Sequence, residues 1–517
     1  MTFPRGSGIL LHPTALPGPH GIGDLGDAAY RFADFLSASG QALWQVLPLG
    51  PTGYGDSPYA CYSAFAGNTL LISPERVSKA GVLSEEDLAG MPALPEGRVD
   101  FGEAHKTKTE MLATAFANFQ RNDDHHLRRE FETFCEQNIS WLDDYTLFRA
   151  LKNAQDGKPW YEWERSVAQR DPDALTRART DLHDQIEQEK FSQFIFFKQW
   201  SELKTYCNHR GIKIIGDIPI FVAHDSADVW TNPDQFKLNT SGSAIVVAGV
   251  PPDYFSETGQ YWGNPIFNWD RMLADGFKWW IARVRAALQM VDLVRIDHFR
   301  GFAACWEIPA GDKTAVNGRW VEAPGRELFT AIRQALGDLP IIAEDLGVIT
   351  PDVEDLRDEF EFPGMRVLQF GFSSDAQNVD LPHNYRQNVV AYTGTHDNDT
   401  TVGWFNDVGS EGSTRTAEQI ENERGFCMKY LETTGDDIHW DFIRAVFASV
   451  ANTAIVPMQD VLGLGSEARM NLPNSMSGNW LWRLKGNELS QELSSRLREL
   501  TGLYGRLVKD ERKENGD

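Results

Sequence analysis

An α/β chain wound as a (β/α)8 TIM barrel is what the sequence predicts, on three observations. Eight short segments are near-continuous apolar runs rather than strict alternations, the pattern of strands covered on both faces in a parallel sheet. Amphipathic helical patterns separate several of them. Three of the runs close on an acidic residue: Val-Asp-Leu-Val-Arg-Ile-Asp-His at 291–298, Leu-Pro-Ile-Ile-Ala-Glu-Asp at 339–345, and Val-Val-Ala-Tyr-Thr-Gly-Thr-His-Asp-Asn-Asp at 389–399. In such a barrel the strand C-termini carry the chemistry, so carboxylates gathered there mark the candidate site.

The strands are expected at 8–12, 42–49, 212–218, 291–297, 340–345, 366–372, 388–395 and 453–459. Helical patterns at 28–39, 191–210, 275–290, 326–336 and 440–452 precede the second, third, fourth, fifth and eighth. The spacing is uneven. Roughly 160 residues lie between the second and third strands and about 70 between the third and fourth. Structureless loops of that length do not suit a compact domain. Residues 50–205 therefore read as a mostly helical insertion, with patterns at 106–121, 125–138, 141–153 and 171–188. Residues 221–275, rich in Gly, Pro, Asn and aromatics, read as a loop-rich insertion over the active site. The whole chain, 1–517, is then one catalytic barrel carrying two insertions, and 487–517 reads as a charged surface helix with no assigned role.

Composition narrows the partners. The 517 residues are 24% charged and 42% hydrophobic, ordinary for a globular protein. A formal net charge of -25 repels a phosphate backbone, so nucleic acid is not an expected partner. No run of about 18 apolar residues predicts a membrane span, and the N-terminus does not read as a signal peptide. Cys61, Cys135, Cys207, Cys305 and Cys427 are scattered and form no Cys-x-x-Cys pair, which fits a reducing cytoplasm better than a disulfide framework or a zinc site.

Asp297 ends the fourth expected strand, Glu344 the fifth, and Asp397 lies just past the seventh. Side chains alternate along a strand, so Arg295 faces the same way as Asp297 and would hold it ionised. Glu344 follows Ile341, Ile342 and Ala343; apolar surroundings and neighbouring acids would raise its pKa, as a general acid requires. One ionised and one protonated carboxyl are the parts of a glycosidase. The third acid and His396 could bind sugar hydroxyls. A divalent-metal reading competes, because Asp297, His298, His396, Asp397 and Asp399 offer oxygen and imidazole ligands, but Arg295 beside them would oppose a cation.

Ten segments in order carry a resemblance that spans nearly the whole chain. They are Gly-Ile-Leu-Leu-His-Pro-Thr-Ala-Leu-Pro at 8–17, Gly-Tyr-Gly-Asp-Ser-Pro-Tyr at 53–59, Ser-Ala-Phe-Ala-Gly-Asn at 63–68, Gly-Asp-Ile-Pro-Ile-Phe-Val-Ala-His-Asp-Ser-Ala-Asp-Val-Trp at 216–230 and Ala-Gly-Val-Pro-Pro-Asp-Tyr-Phe-Ser at 248–256. The others are Gly-Gln-Tyr-Trp-Gly-Asn-Pro at 259–265, Arg-Ile-Asp-His-Phe-Arg-Gly at 295–301, Ala-Glu-Asp-Leu-Gly at 343–347, Thr-Gly-Thr-His-Asp-Asn-Asp-Thr at 393–400 and Ala-Arg-Met-Asn-Leu-Pro at 468–473. With these motifs the chain resembles the 4-alpha-glucanotransferases (amylomaltases, or disproportionating enzymes), a glycoside hydrolase family related to alpha-amylases.

The resemblance implies that Asp297 is the nucleophile, Glu344 the general acid/base and Asp397 the transition-state stabiliser, with Arg295 and His396 supporting the nucleophile and a sugar bound beside it. It implies that Tyr59 and Asp217 line the non-reducing sugar site, that Tyr254 and Phe255 overhang the acceptor, and that Trp262, Asn264 and Asn471 touch sugar. It further implies transfer of alpha-1,4-glucan segments to the 4-hydroxyl of another glucan or of glucose, by double displacement with retention. Maltooligosaccharides, starch or glycogen chains and glucose are the expected partners. No metal and no cofactor is implied, because exchange between glucans is nearly isoenergetic. About 60 residues follow the eighth expected strand, too few for the C-terminal β-sandwich of many alpha-amylases. An alpha-amylase-type hydrolase using the same acids, and a non-catalytic carbohydrate binder, are the alternative readings.

Overall fold

The computed structural model describes residues 3–121, 125–252, 257–409, 415–473, 475 and 477–507. In chain order the strands among them are β1 (Gly6–Leu10), β2 (Leu43–Gln45), β3 (Lys213–Pro219), β4 (Val246–Val250), β5 (Gln260–Pro265), β6 (Leu293–Asp297), β7 (Ala304–Pro309), β8 (Arg319–Glu322), β9 (Ile341–Ala343), β10 (Gly364–Val367), β11 (Val389–Tyr392) and β12 (Thr453–Pro457). Eight of these, β1, β2, β3, β6, β9, β10, β11 and β12, form one parallel sheet in which β12 pairs back onto β1. The Ala343 N–H donates to Pro363 O at 2.9 Å, joining β9 to the approach of β10 and closing a TIM barrel. Ile214, Val294, Ile341, Val390 and Ile455 are fully buried, as continuous apolar runs in a doubly covered sheet require.

Each expected strand overlaps an observed one, with two informative differences. The apolar stretch at 366–372 is a strand only to Val367; Leu368–Phe372 is a 3-10 helix. Phe372 there packs against Trp404 and Phe442, and Gln369 donates to Asp399 O at 2.9 Å, so tertiary contacts turn a run whose periodicity alone fits either structure. The helical patterns at 125–138 and 141–153 are one helix, His125–Ala154; Ile139, 64% exposed, interrupts the apolar stripe but not the backbone.

Between β2 and β3 the long helices Phe101–Arg121, His125–Ala154 and His183–His209 pack through phenylalanines 116, 119, 131, 191 and 194. Two glutamines on the last helix grip the segment that leads from β2. Gln193 takes the Gly67 N–H (2.8 Å) and donates to its carbonyl (3.1 Å); Gln199 does the same for Ser73 (2.8 and 3.1 Å). A Cβ on Gly67 would sit 1.9 Å from the Phe196 ring, so only glycine allows this approach.

The region 221–275, expected to be irregular, contains β4 and β5, half of a four-stranded antiparallel sheet in the order β5-β4-β7-β8. Its partners β7 and β8 come after Asp297, so the pairing is non-local, and the sequence of β5, Gln-Tyr-Trp-Gly-Asn-Pro, carries no alternation to reveal it.

At the opposite end of the barrel, Arg506 is completely buried and donates to Phe447 O (2.8 Å), Gly6 O (2.8 Å), Ala451 O (3.0 Å) and Asn452 O (3.1 Å). It ties the entrances of β1 and β12 to the end of the helix Ile438–Ala448. Arg506→Met is expected to lose about 3 kcal/mol or more, because buried carbonyls are left unpaired. Thermal unfolding should occur several degrees lower while kcat at 25 °C stays unchanged; an unaltered melting temperature would contradict this role.

Candidate active site

The registers of three neighbouring strands assemble the site. β3 and β6 pair with Asp217 opposite Arg295 and Pro219 opposite Asp297. β6 and β9 pair with Ile296 opposite Ala343, so the next residues, Asp297 and Glu344, stand side by side. The backbone of Glu344 extends the ladder: its N–H donates to Ile296 O and its carbonyl accepts the Phe299 N–H, both at 3.0 Å.

Arg295 and Asp297, two apart on β6, project to one side. The Arg295 guanidinium donates to Asp297 Oδ1 at 2.9 Å and to Asp217 Oδ2 at 2.6 Å, and its Nε approaches Met365 Sδ of β10 at 3.4 Å. Tyr59 donates its phenol to the same Asp217 oxygen at 2.8 Å. Asp217 is buried, and burial raises its carboxyl pKa against the pull of Arg295. Its Oδ1 has no protein partner among the described residues and is enclosed, an acceptor held ready for a donor from outside the protein.

Glu344 is held by backbone amides. Oε2 accepts the His298 N–H at 2.6 Å and Oε1 the Leu346 N–H at 2.9 Å. His298 adopts a left-handed conformation (φ 52°, ψ 51°), which is uncommon for a non-glycine residue and turns its N–H toward that carboxyl. Burial, reinforced by the charge of Asp297, pushes the Glu344 carboxyl up to about 7, although Arg295 and the two amides oppose it. Next in the chain, Asp345 faces the other way: it accepts from Arg357 (2.5 Å) and from the Met365 N–H (2.6 Å), locking β9 to β10. A Cβ on Gly364 would lie 2.4 Å from that carboxylate.

Asp397 sits in the turn beyond β11 and is more open than Asp297, its side chain 44% exposed against 30%. Asn471 donates to its Oδ1 at 2.6 Å, and His396 Nε2 stands 3.4 Å from Oδ2. The Asn471 N–H donates to His396 O at 3.1 Å. Tyr59 stacks on the His396 ring, centroids 5.1 Å apart and 11° from parallel, so Tyr59 links the Asp217 side of the site to the Asp397 side.

Most residues singled out in the sequence thus meet in one network: Asp297, Glu344, Asp397, Arg295, Asp217, Tyr59, His396 and Asn471. Trp262 on β5 joins it through an edge-to-face contact with His298, 4.8 Å between centroids, with 38% of its surface open. Asn264 does not meet the acids; its amide donates to Val222 O at 2.9 Å and braces β5 against the segment after β3. Tyr254 and Phe255 lie outside the described residues.

Two site residues escaped sequence reasoning. Trp480, at φ 65°, packs its ring 6.1 Å from Tyr59 and 6.0 Å from His396. Its signal is of the kind that marked 221–275: an aromatic in a stretch rich in Gly, Asn and Ser. Arg469 donates to Asp397 O (2.7 Å) and Asn471 O (2.8 Å), fixing the backbone under both; it stands in the segment 468–473 that carries the resemblance, but its role follows only from the tertiary fold. Among the described residues no group of three or more His, Cys, Asp and Glu side chains is arranged to hold a metal ion, and no helix is long and apolar enough to cross a membrane.

Comparison with known proteins places this geometry. Residues 11–490 match the 4-alpha-glucanotransferase family. The chain is 52% identical over 508 residues to the 4-alpha-glucanotransferase of Synechocystis sp., covering 98% of each. It is 50% identical over 515 residues to that of Thermus thermophilus, covering 98% of this chain and 100% of the relative. The structure superposes on the amylomaltase of Streptococcus agalactiae in complex with acarbose with a TM-score of 0.92 at 40% identity, covering 98% of this chain and 100% of that one. The chain therefore belongs to the 4-alpha-glucanotransferase family, enzymes that transfer glucan segments.

Proposed function

We propose that this enzyme transfers alpha-1,4-glucan segments from a maltooligosaccharide, starch or glycogen chain to the 4-hydroxyl of another glucan or of glucose, by two displacements through a covalent glycosyl-enzyme. One observation carries the reading. Two carboxyls stand side by side on adjacent strands, one bonded to a buried guanidinium and the other held near a pKa of about 7 by burial. That is the division of labour between nucleophile and general acid.

Asp297 attacks the anomeric carbon while Glu344 gives its proton to the departing glycosidic oxygen. The reducing-end fragment leaves, and Glu344, now ionised, removes a proton from the incoming hydroxyl as that oxygen displaces Asp297. Asp397, with His396, binds the ring hydroxyls of the sugar as positive charge develops. The enclosed Oδ1 of Asp217 accepts a sugar hydroxyl, and Asn471 orients Asp397. Trp262 offers a partly open indole beside His298 for an acceptor ring. Tyr254 and Phe255 are assigned to the acceptor side on sequence alone. Whether water or sugar completes the cycle depends on how well such aromatic surface holds an acceptor against bulk solvent. A cytoplasmic setting, where five scattered cysteines stay reduced, fits this role.

Maltotriose is the discriminating substrate. A ladder of longer maltodextrins with little gain in reducing ends is expected; shorter products alone would mean hydrolysis. Replacing Tyr254 and Phe255 by alanine should raise the yield of new reducing ends per transfer several-fold, and an unchanged ratio would remove them from acceptor control. The acid form of Glu344 starts the reaction and is lost as pH rises through its folded pKa. The basic limb of kcat/KM should therefore bend near pH 7. Glu344→Gln should abolish that limb and cost roughly 10² to 10⁴ in rate on glucans, while the first-turnover burst of fluoride from an α-glycosyl fluoride, whose leaving group needs no proton, should be much less affected. Loss of that burst as complete as the loss on glucans would contradict the assignment.

A further inference from the structure

His12 lies two residues beyond β1, is 3% exposed, and has no part in the steps above. Its Nδ1 accepts the backbone N–H of Leu47 at 3.2 Å. A backbone N–H only donates, so Nδ1 is bare. Burial, with His396 nearby, holds the imidazole down to about 3, so the ring stays neutral and its one proton sits on Nε2.

The ring shares a cavity of about 20 Å³ with His396, Asn398, Asp399, Gln459 and Arg469. That is room for one water molecule. Several of the other polar walls are already engaged. Asp399 accepts from Ser466 (2.7 Å) and the Thr400 N–H (2.8 Å), Gln459 donates to Ala468 O (3.3 Å), and Arg469 binds the carbonyls of Asp397 and Asn471. On its other side His396 presents Nε2 to Asp397 at 3.4 Å. It can donate there only with its proton on Nε2, which leaves Nδ1 needing a donor.

We propose that His12 is a positioning residue: its Nε2–H binds one water in this cavity, that water donates to His396 Nδ1, and His396 is thereby fixed in the tautomer that points Nε2–H at Asp397 and the sugar. Its catalytic consequence rests on the placing of His396 at the sugar site under the proposed function, but the tautomer itself is a property of the free enzyme.

The test is nitrogen NMR of the full-length enzyme labelled with ¹⁵N-histidine at pH 7, with His396 assigned by its loss in His396→Gln. The wild type should show His396 with bare Nδ1 and protonated Nε2. His12→Gln, whose amide nitrogen reaches the position of Nε2, should keep that tautomer and most of kcat. His12→Leu should give mixed tautomers and a roughly tenfold lower kcat at little-changed KM. A proton on His396 Nδ1 in the wild type overturns the proposal, as does an unchanged tautomer in His12→Leu even if activity falls. Should the leucine variant not fold, the wild-type tautomer and the glutamine variant decide it: loss of the tautomer with glutamine overturns the relay. His396→Gln at full activity would instead remove His396 from the reaction and leave the tautomer result standing.

Discussion

A guanidinium buried between two carboxylates is the constraint on which the rest of this site depends. Arg295, 3% exposed, reaches sideways from β6 to Asp217 on the neighbouring β3 and up its own strand to Asp297. Burying an ion costs several kcal/mol, and only close, hydrogen-bonded partners offset it. The contacts at 2.6 and 2.9 Å do that, and they bind the chemistry to the fold. Without Arg295, two acids would face each other uncompensated in a low-dielectric lumen. With it, Asp297 keeps a charge-assisted partner and Asp217 is anchored by one oxygen, leaving the other free toward ligand. The same network accounts for Glu344: half-buried and close to Asp297, its carboxyl is pushed up to about 7.

The three acids are supported in different ways, and the differences match their positions. Asp297 is held by a side chain, Glu344 by two backbone amides, and Asp397 by Asn471 and the edge of His396. Amides at the left-handed His298 and at Leu346 cannot move without the strand ends, so Glu344 is fixed to the barrel itself. Asp397 depends on segments beyond β11 and β12, where Arg469 and Asn471 sit, and it is more open than Asp297. A sugar ring entering the site meets rigid groups on one side and a more adjustable one on the other.

The barrel was legible because its strands are apolar runs with acids at their ends, a local pattern that survives folding. The pairing of Arg295 with Asp297 followed from simple alternation. The link from Arg295 to Asp217 joins residues 78 apart and is set by the β3–β6 register, which no local pattern encodes. The small sheet was missed for the same reason: β4 and β5 are completed by strands on the far side of Asp297. Trp480, Arg469 and His12 come from either end of the chain. Each acts through packing or through a hydrogen bond to backbone, which leaves little trace in residue type. Asn264 came forward through its motif alone; that its amide nitrogen braces β5 against Val222 O is again a tertiary contact.

The account turns on a covalent bond to Asp297. Brief incubation of Glu344→Gln with an α-maltosyl fluoride, followed by acid quench and peptide mass spectrometry, measures it directly. The prediction is one maltosyl addition on the peptide carrying Asp297, absent from an Asp297→Asn, Glu344→Gln double variant. Turnover of the fluoride with no adduct on any acid, or an adduct on Asp397 instead, would contradict it.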